Sequence, residues 1–485
     1  MSISFDNIPS TLRNPGTYVE FNNELAGASS TMFKVVIIGQ KLDSGIQAVN
    51  TPIRVTDPKQ GAVFFGQGAM LAGQCEAFLN ANADTEVWAI ALSDDNEGAV
   101  SAGAFTVETA ATGSGTLSLY IGNNLVRAGV SAGDDVNTIA ASIAASINAN
   151  TSLPFIAELE NAVVRVKSRH KGEVFNGLKL QANYYDEKLP DGVTLTFADF
   201  VGGTGNPDMS PALDAMGDEW FNWLVCPYTD TFNLVQLETE LGERFGPMAQ
   251  IGCRAFIAFS GTHGQSGTFG SARNNPHISC MGTGASPTPP YLLSAINAAV
   301  AAKSLSIDPA RPLQTLVLKG MLAPSRHERW GQTERNLLLF DGISTFTVGD
   351  DGTCRIERQI TMYQTNASGL SDASYLDICT PETLERIRYE QRLMVAQKYP
   401  RHKLASDGTQ YGAGQAIVTP KIIRGELLSL YREMEKKGWV EDYESYEANL
   451  IVERDADDAN RLNWRDTPNL VNQLRITAGK QQFII

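Results

Sequence analysis

The chain has 485 residues, of which 43% are hydrophobic and 19% charged. That length sets a prior of about three domains, and the apolar content suffices for sizeable cores, which excludes wholesale disorder. Thirty-nine Lys plus Arg against 54 Asp plus Glu leave a net charge of −15, which argues against a general nucleic-acid binder, since that function needs a basic face to neutralise phosphates.

The first 27 residues carry no helical pattern and are punctuated by Pro9, Pro15, Gly16 and Gly27. Only Tyr18-Val19-Glu20-Phe21 looks like strand, with Val19 and Phe21 facing one way and Tyr18 and Glu20 the other. Such a segment is either a loose end or made for a partner. A β-α-β unit follows. Val35–Ile38 is a short continuous apolar run of the buried-strand kind, and Asp57-Pro58 supplies an N-cap followed by proline at the first helical position. The helical stretch runs to Phe78-Leu79 with a break expected near Gly66, and Glu86–Leu92 pairs parallel to the first strand through a right-handed crossover.

Between about Gly98 and Pro207 the texture changes. Thr116–Ile121 alternates, Gly122-Asn123-Asn124 offers a turn into Leu125-Val126, and an Ala- and Ile-rich helix is expected over 135–148. Strands are expected at Phe155–Glu160, Val163–Lys167, Leu178–Tyr184 and Val193–Phe197, before the breaker Gly202-Gly203-Thr204-Gly205-Asn206-Pro207. This reads as an α+β module inserted into an α/β body. The α/β pattern resumes with strands at Trp223–Cys226, Ala255–Phe259, His277–Cys280 and Leu316–Leu318, and helices at Phe232–Phe245 and Tyr291–Ala302. Thr345–Val348 and Arg355–Met362 form a hairpin through Gly349-Asp350-Asp351-Gly352.

In the last hundred residues Thr380-Pro381 opens a helix to about Lys398, within a charged stretch at Glu382–Lys403, and Thr419-Pro420 opens another ending at Lys437 with Gly438 as its stop. Ile423, Leu427, Leu430, Tyr431 and Met434 make one apolar face of the second helix. A strand over Asn449–Glu453 and an acidic turn at Asp455–Asp458 lead to an extended tail. There Leu474, Ile476 and Ala478 alternate with Gln473, Arg475 and Thr477. An alternating strand at a chain terminus needs a sheet edge, its own or a neighbour's.

Signals of chemistry are sparse. The phosphate-loop pattern is absent, no Gly-x-Gly-x-x-Gly opens a helix after a strand, and the five histidines (170, 263, 277, 327, 402) include no pair at helical spacing. The acidic turn lacks the glycine and terminal glutamate of a calcium loop. Six cysteines without a Cys-x-x-Cys pair read as reduced, buried thiols. No run of about 18 apolar residues supports a membrane span, and Met1–Asp6 lacks the blocks of a secretory signal. Gly261-Thr262-His263-Gly264, after a strand, resembles the histidine segment of subtilisin-type proteases. The strand at Val35–Ile38, however, ends in Gly39-Gln40 where the aspartate is needed, and Gly282-Thr283-Gly284-Ala285 has no serine after its threonine. No catalytic, cofactor-binding or metal-ligating residue is assigned.

Ile8-Pro9-Ser10 with Asn14-Pro15-Gly16-Thr17-Tyr18-Val19-Glu20 resembles the N-terminal arm of contractile phage tail sheath proteins. Asn460–Asn463 with Pro468–Arg475 looks like the C-terminal signature of the Mu-like branch, and Asp57 with Phe65-Gly66-Gln67-Gly68-Ala69-Met70-Leu71 matches its first helix. The resemblance spans nearly the whole chain and is weakest in the inserted module.

The resemblance implies a core subtilisin-like in fold without protease activity, no cofactor, and a helical homopolymer of stacked six-membered rings around a tail tube. Contraction of that polymer drives the tube through the host envelope. Implied partners are copies of the chain itself, the tube protein, and baseplate and tail terminator proteins, with no direct nucleic acid and no membrane insertion. The implied location is the virion tail, after assembly in the host cytoplasm.

The expected organisation is an N-terminal extended arm at 1–27, a split α/β core at 28–98 and 208–379, an outward-facing module at 99–207, an α+β C-terminal domain at 380–467, and an extended arm at 468–485. Inter-subunit contacts are expected from Tyr18, Val19, Glu20, Phe21, Leu470, Val471, Leu474 and Ile476 in the arms. Arg386, Arg388 and Arg392 are candidates for inter-subunit or tube-facing charges. Two alternatives stay open: a hydrolase on a subtilisin-like scaffold, and the sheath of a phage-derived bacteriocin or injection apparatus.

Overall fold

The computed structural model describes residues 33–484, so Tyr18–Phe21 and the whole expected arm at 1–27 lie outside the described residues. The chain enters a central sheet through β1 (Lys34–Gln40). Successive strand side chains point to opposite faces, and β1 feeds two cores accordingly. Val36 and Ile38 join one hydrophobic cluster, Val35 and Ile37 the other. After β2 (Ile53–Val55), helix α1 (Pro58–Phe65) starts where Asp57 accepts a hydrogen bond of 2.7 Å from the Lys59 N–H, with proline at the first position. It stops at Gly66, whose φ of 97° and the Ser44 Oγ only 2.6 Å from where a Cβ would sit leave no other residue comfortable. Helix α2 (Met70–Ala81) and β3 (Glu86–Leu92) complete the unit, with β3 parallel to β1 over its full length.

Between β3 and residue 209 come β4 (Val100–Val107), β5 (Gly115–Ile121), β6 (Asn124–Val130), α3 (Val136–Ala149), β7 (Phe155–Glu160), β8 (Val163–Lys171), β9 (Leu180–Ala182) and β10 (Leu195–Val201). They form two antiparallel sheets, ordered β10-β4-β8-β7 and β6-β5-β9. Their apolar side chains, such as Phe105, Ile143 and Phe155, belong to the same cluster as Val36, Ile38 and Ile90 of the central sheet. Phe175 packs on Tyr291, ring centroids 5.2 Å apart, and Tyr184 Oη donates to the Ala323 carbonyl at 2.8 Å. This segment is therefore seated on the body through a shared core.

The chain then builds α4 (Ser210–Asp214), β11 (Trp223–Val225), α5 (Thr231–Phe245), β12 (Arg254–Phe259), α6 (His263–Ser271), β13 (Ile278–Gly282), α7 (Pro290–Ile307), α8 (Gln332–Phe340), β14 (Ile343–Val348) and β15 (Cys354–Arg358). The eight-stranded sheet has the order β15-β14-β13-β12-β11-β1-β3-β2, parallel throughout except for its two antiparallel edge strands. Its strands read as near-continuous apolar runs because both faces are covered, α2 and α7 contributing to one core and α5 to the other.

The strand expected at Leu316–Leu318 is absent. That segment runs beside β15 as irregular chain, with Ile356 N–H donating to the Leu316 carbonyl and Leu318 N–H to that of Cys354, and it screens the sheet edge. Helix α6 was not expected, because its sequence, HGQSGTFGS, has no apolar period. It is held instead by a capping box between Thr262 and Gln265.

The C-terminal region comprises α9 (Cys379–Lys398), β16 (Lys403–Leu404), β17 (Ile417–Val418), α10 (Pro420–Lys436), β18 (Val440–Glu441), α11 (Tyr443–Asn449), β19 (Ile451–Arg454), β20 (Leu462–Arg465) and β21 (Asn469–Leu470). Helix α9 ends at Lys398, where the sequence places its end, since the residue before Pro400 is pushed out of helical conformation. A third core gathers Ile423, Leu427, Tyr431 and Met434 of α10 around Ile387, Trp439 and Tyr446. All six cysteines are buried and free.

Candidate assembly surfaces

At the root of the tail, β21 pairs antiparallel with β18, Leu470 opposite Val440, and the Val471 N–H donates to the Trp439 carbonyl at 3.1 Å. Leu470 and Val471 thus sit on their own subunit. Beyond them, no backbone hydrogen bond joins residues 472–484 to any described residue. Side chains hold the next stretch. Gln473 Nε2 donates to the Ala310 carbonyl at 3.0 Å and Arg475 Nη2 to Asp377 Oδ1 at 2.9 Å. Asp377 is shared with Arg358, whose Nη2 lies 2.9 Å from Oδ2. The alternation seen in the sequence is real but inverted relative to a core strand. Gln473 and Arg475 face the subunit, while Leu474 and Ile476 are 72% and 82% exposed. Phe483 and Ile484 are exposed as well. The free reach starts at residue 477, and the nine residues to 485, if extended, span about 30 Å rather than the roughly 50 Å of a fully free arm.

The three arginines of α9 are engaged within the chain. Arg388 Nη1 donates to the Phe245 carbonyl at 2.7 Å, its guanidinium lies 4.6 Å from the Phe245 ring centroid, and it also pairs with Glu385. Arg392 Nη1 donates to the Gln250 carbonyl at 2.7 Å. Arg386 pairs with Glu390 at 3.4 Å and lies within 6 Å of the ring centroids of Phe33, Tyr389 and Trp439, namely at 5.4, 5.7 and 5.6 Å. Arg388 and Arg392 lash α9 to the end of α5 and the segment after it, while Arg386 lies among Phe33, Tyr389 and Trp439.

Beneath them is a cluster that the sequence reading missed. Arg254, 1% exposed, gives hydrogen bonds to the carbonyls of Cys253 and Pro381, both at 3.0 Å, and stands 3.9 Å from Glu382. Burial raises the Glu382 pKa to about 7 against the opposing pull of Arg254, and burial together with the charges of Arg254 and Arg388 lowers that of His277 to about 3. The available signal was a charged residue opening an otherwise apolar strand, Arg254-Ala255-Phe256-Ile257.

The protease-like segment is not assembled into a catalytic site. His263 is the first residue of α6, half-buried, with Nε2 2.9 Å from the Glu334 carbonyl oxygen and its ring edge-on to Trp330. Gln40, at the end of β1, is buried and donates to Asp94 Oδ1 at 2.7 Å and to the Lys171 carbonyl at 2.8 Å. Thr283 Oγ1 donates to the Gly284 carbonyl. Among the described contacts none joins these three positions.

At the ends of β1 and β3, where ligands usually enter open α/β sheets, β8 packs against Gln40 and Asp94 through Lys171. His170 Nδ1 is 2.9 Å from Asp94 Oδ1, and its Nε2 accepts the Met70 N–H at 3.0 Å, which fixes the proton on Nδ1. Burial opposes ionisation of Asp94, but the His170 and Lys171 contacts hold its pKa below the usual value. Among the described residues no group of three or more His, Cys, Asp or Glu could hold a metal ion, and no helix is long and apolar enough to cross a membrane.

Family models described as the phage tail sheath protein central domain and C-terminal domain match residues 202–362 and 371–484. The Mu-like prophage FluMu tail sheath protein of Haemophilus influenzae is 43% identical over 488 residues, covering 100% of both chains. Among solved structures, the sheath tail protein of Desulfitobacterium hafniense is 12% identical, covering 94% of this chain and 100% of that one, with a TM-score of 0.49. The anti-feeding prophage helical sheath in its contracted state is 10% identical, covering 97% and 99%, also at 0.49. On the two family models and a relative of this identity along its full length, the chain belongs to the phage tail sheath protein family.

Proposed function

We propose that this chain is the structural subunit of a contractile tail sheath. It polymerises helically around a tail tube and contracts to drive the tube through the host envelope. The observation that carries this reading is the 43% identity to a Mu-like prophage tail sheath protein across the whole chain. The exposed apolar side chains of Leu474, Ile476, Phe483 and Ile484 support it, because surface of that kind on a terminal segment suits burial against a second copy. On this reading the partners are copies of the chain, the tube, the baseplate and the tail terminator, in a virion tail assembled in the host cytoplasm. The chain performs no covalent chemistry.

The proposal extends to the organisation of the subunit: a split core at 28–98 and 208–379, a module at 99–207 on the outer face, a C-terminal domain at 380–467, and linking arms at 1–27 and 468–485. A subtilisin-like description of the core belongs to the same reading. It is supported by a parallel sheet with helices on both faces and by the histidine segment after β12.

The test uses the two outward residues of the tail. Leu474→Asp with Ile476→Asp replaces side chains that are largely exposed among the described residues, so thermal stability is expected to stay within about 0.5 kcal/mol of wild type. Electron micrographs of the purified wild-type protein are expected to show striated tubes, and those of the double variant dispersed subunits. Normal tubes from the double variant would remove the tail from the assembly mechanism, and isolated globules from the wild type would count against a sheath.

A further inference from the structure

The C-terminal tail is pinned to its own subunit twice before it becomes free. The first pin is the backbone pairing of β21 with β18. The second uses side chains alone. Gln473 reaches the Ala310 carbonyl, and Arg475 bonds to Asp377, which Arg358 grips from its other side. Arg475 also touches Gln473 and lies 3.4 Å from Gln314 Oε1. The Arg475 side chain is 12% exposed and that of Asp377 19%, so this ion pair is less screened than a surface pair. The consequence is directional. With residues 473 and 475 turned inward, strand geometry turns 474 and 476 outward.

We propose that Arg475 and Asp377 form a positioning clamp that holds the tail in one orientation, presenting Leu474 and Ile476 as a preformed apolar pair to a second copy of the chain. A segment ordered before binding loses less freedom on association, and a partner that needs one orientation sees an affinity reduced in proportion to the fraction of tails adopting it. The clamp raises that fraction. Its grip through side chains leaves the main chain of 472–476 without backbone partners among the described residues, so that main chain is available to an approaching edge. The proposal rests on the self-assembly reading above.

The experiment combines Arg475→Gln with a fluorophore on Ala478→Cys, an exposed position in a chain whose own cysteines are all buried. Arg475→Gln is expected to lower the anisotropy of the label, to leave the melting temperature close to wild type, and to raise the protein concentration needed for polymerisation about tenfold, the change expected when about nine tails in ten leave the competent orientation. Arg475→Lys, which keeps the charge beside Asp377, is expected to recover most of the loss. Gln473→Ala supplies a second, milder release should Arg475→Gln fold poorly.

Unchanged or easier polymerisation by a variant whose label has become mobile would overturn the clamp, as would a label that stays immobile in the Arg475→Gln, Gln473→Ala double variant. Failure of the Leu474→Asp, Ile476→Asp variant to impair assembly would instead overturn the linking role of the tail, so the two outcomes are distinguishable.

Discussion

Tyr431→Ala is expected to destabilise the C-terminal region by about 3–5 kcal/mol, the range for truncating a large buried aromatic. Tyr431 is fully buried at the centre of the third core, stacked on Tyr446 with centroids 3.7 Å apart and planes 14° from parallel. Its hydroxyl donates to the Glu441 carbonyl at 2.7 Å and accepts the Asn469 N–H at 3.2 Å. Alanine removes the stack, leaves both backbone groups without their partner, and loosens β21. Tyr431→Phe keeps the stack and loses only the hydrogen bonds, for about 1 kcal/mol. Urea unfolding followed by tryptophan fluorescence, to which Trp439 in this core contributes, separates the two. A loss below about 1 kcal/mol for Tyr431→Ala would mean that the core around α10 is not a cooperative unit. Because the tail is rooted at β21, the alanine variant is also expected to polymerise poorly, linking local packing to assembly.

Glu382→Gln is expected to stabilise the protein at alkaline pH and to do little under acidic conditions. Burial raises the folded-state pKa of Glu382 from 4.5 to about 7. Between those values the folded chain holds a proton that the unfolded chain has released, so stability falls as pH rises through this window. Below about pH 4.5 the group is protonated in both states and contributes nothing; above about pH 7 the full penalty applies, on the order of 3 kcal/mol. Glutamine is neutral throughout, and its amide oxygen can still accept the Trp223 Nε1–H that now reaches Glu382 at 3.2 Å. Arg254 keeps its carbonyl partners at Cys253 and Pro381. Urea midpoints at pH 5 and pH 8 are the measurement: wild type falls between them and Glu382→Gln stays flatter. Equal slopes would show that Arg254 neutralises the carboxylate after all.

The position of Glu382 gives that prediction a structural meaning. It sits where α9 meets β11 and β12, beneath the arginines that fasten the C-terminal region to the body. A carboxyl group titrating near neutrality at such a joint makes the joint's strength depend on pH.

The elements that the sequence made legible are those whose signals are local. Asp57-Pro58 and Thr419-Pro420 mark helix starts because capping and the proline ring act within one turn. Val35–Ile38 and Ala255–Phe259 mark buried parallel strands because only a doubly covered strand tolerates an unbroken apolar run. Where the pattern was carried by small side chains it was lost. Strand β4 alternates correctly, but its inward residues include Ser101 and Gly103, which no hydropathy reading marks as core. Leu316–Leu318 misled in the opposite sense: its apolar residues serve the core beside β15 without joining the ladder as a strand.

For the candidate surfaces the division is similar. The alternation of Gln473 to Thr477 was visible in the order of residues, and so was the absence of serine and aspartate around His263. Which way the tail's apolar side chains turn could not be read there, because it depends on Asp377 and Ala310, 98 and 163 positions away from their partners in the tail. The same holds for Glu382 and Arg254, whose titration and pairing exist only once α9 lies across the sheet. Periodicity, caps and composition are properties of neighbours along the chain, so the sequence by itself determined most secondary elements, α6 and β4 excepted, and the α/β class. Burial, ion pairing and the facing of an exposed strand are properties of neighbours in space, and those the tertiary structure alone decided.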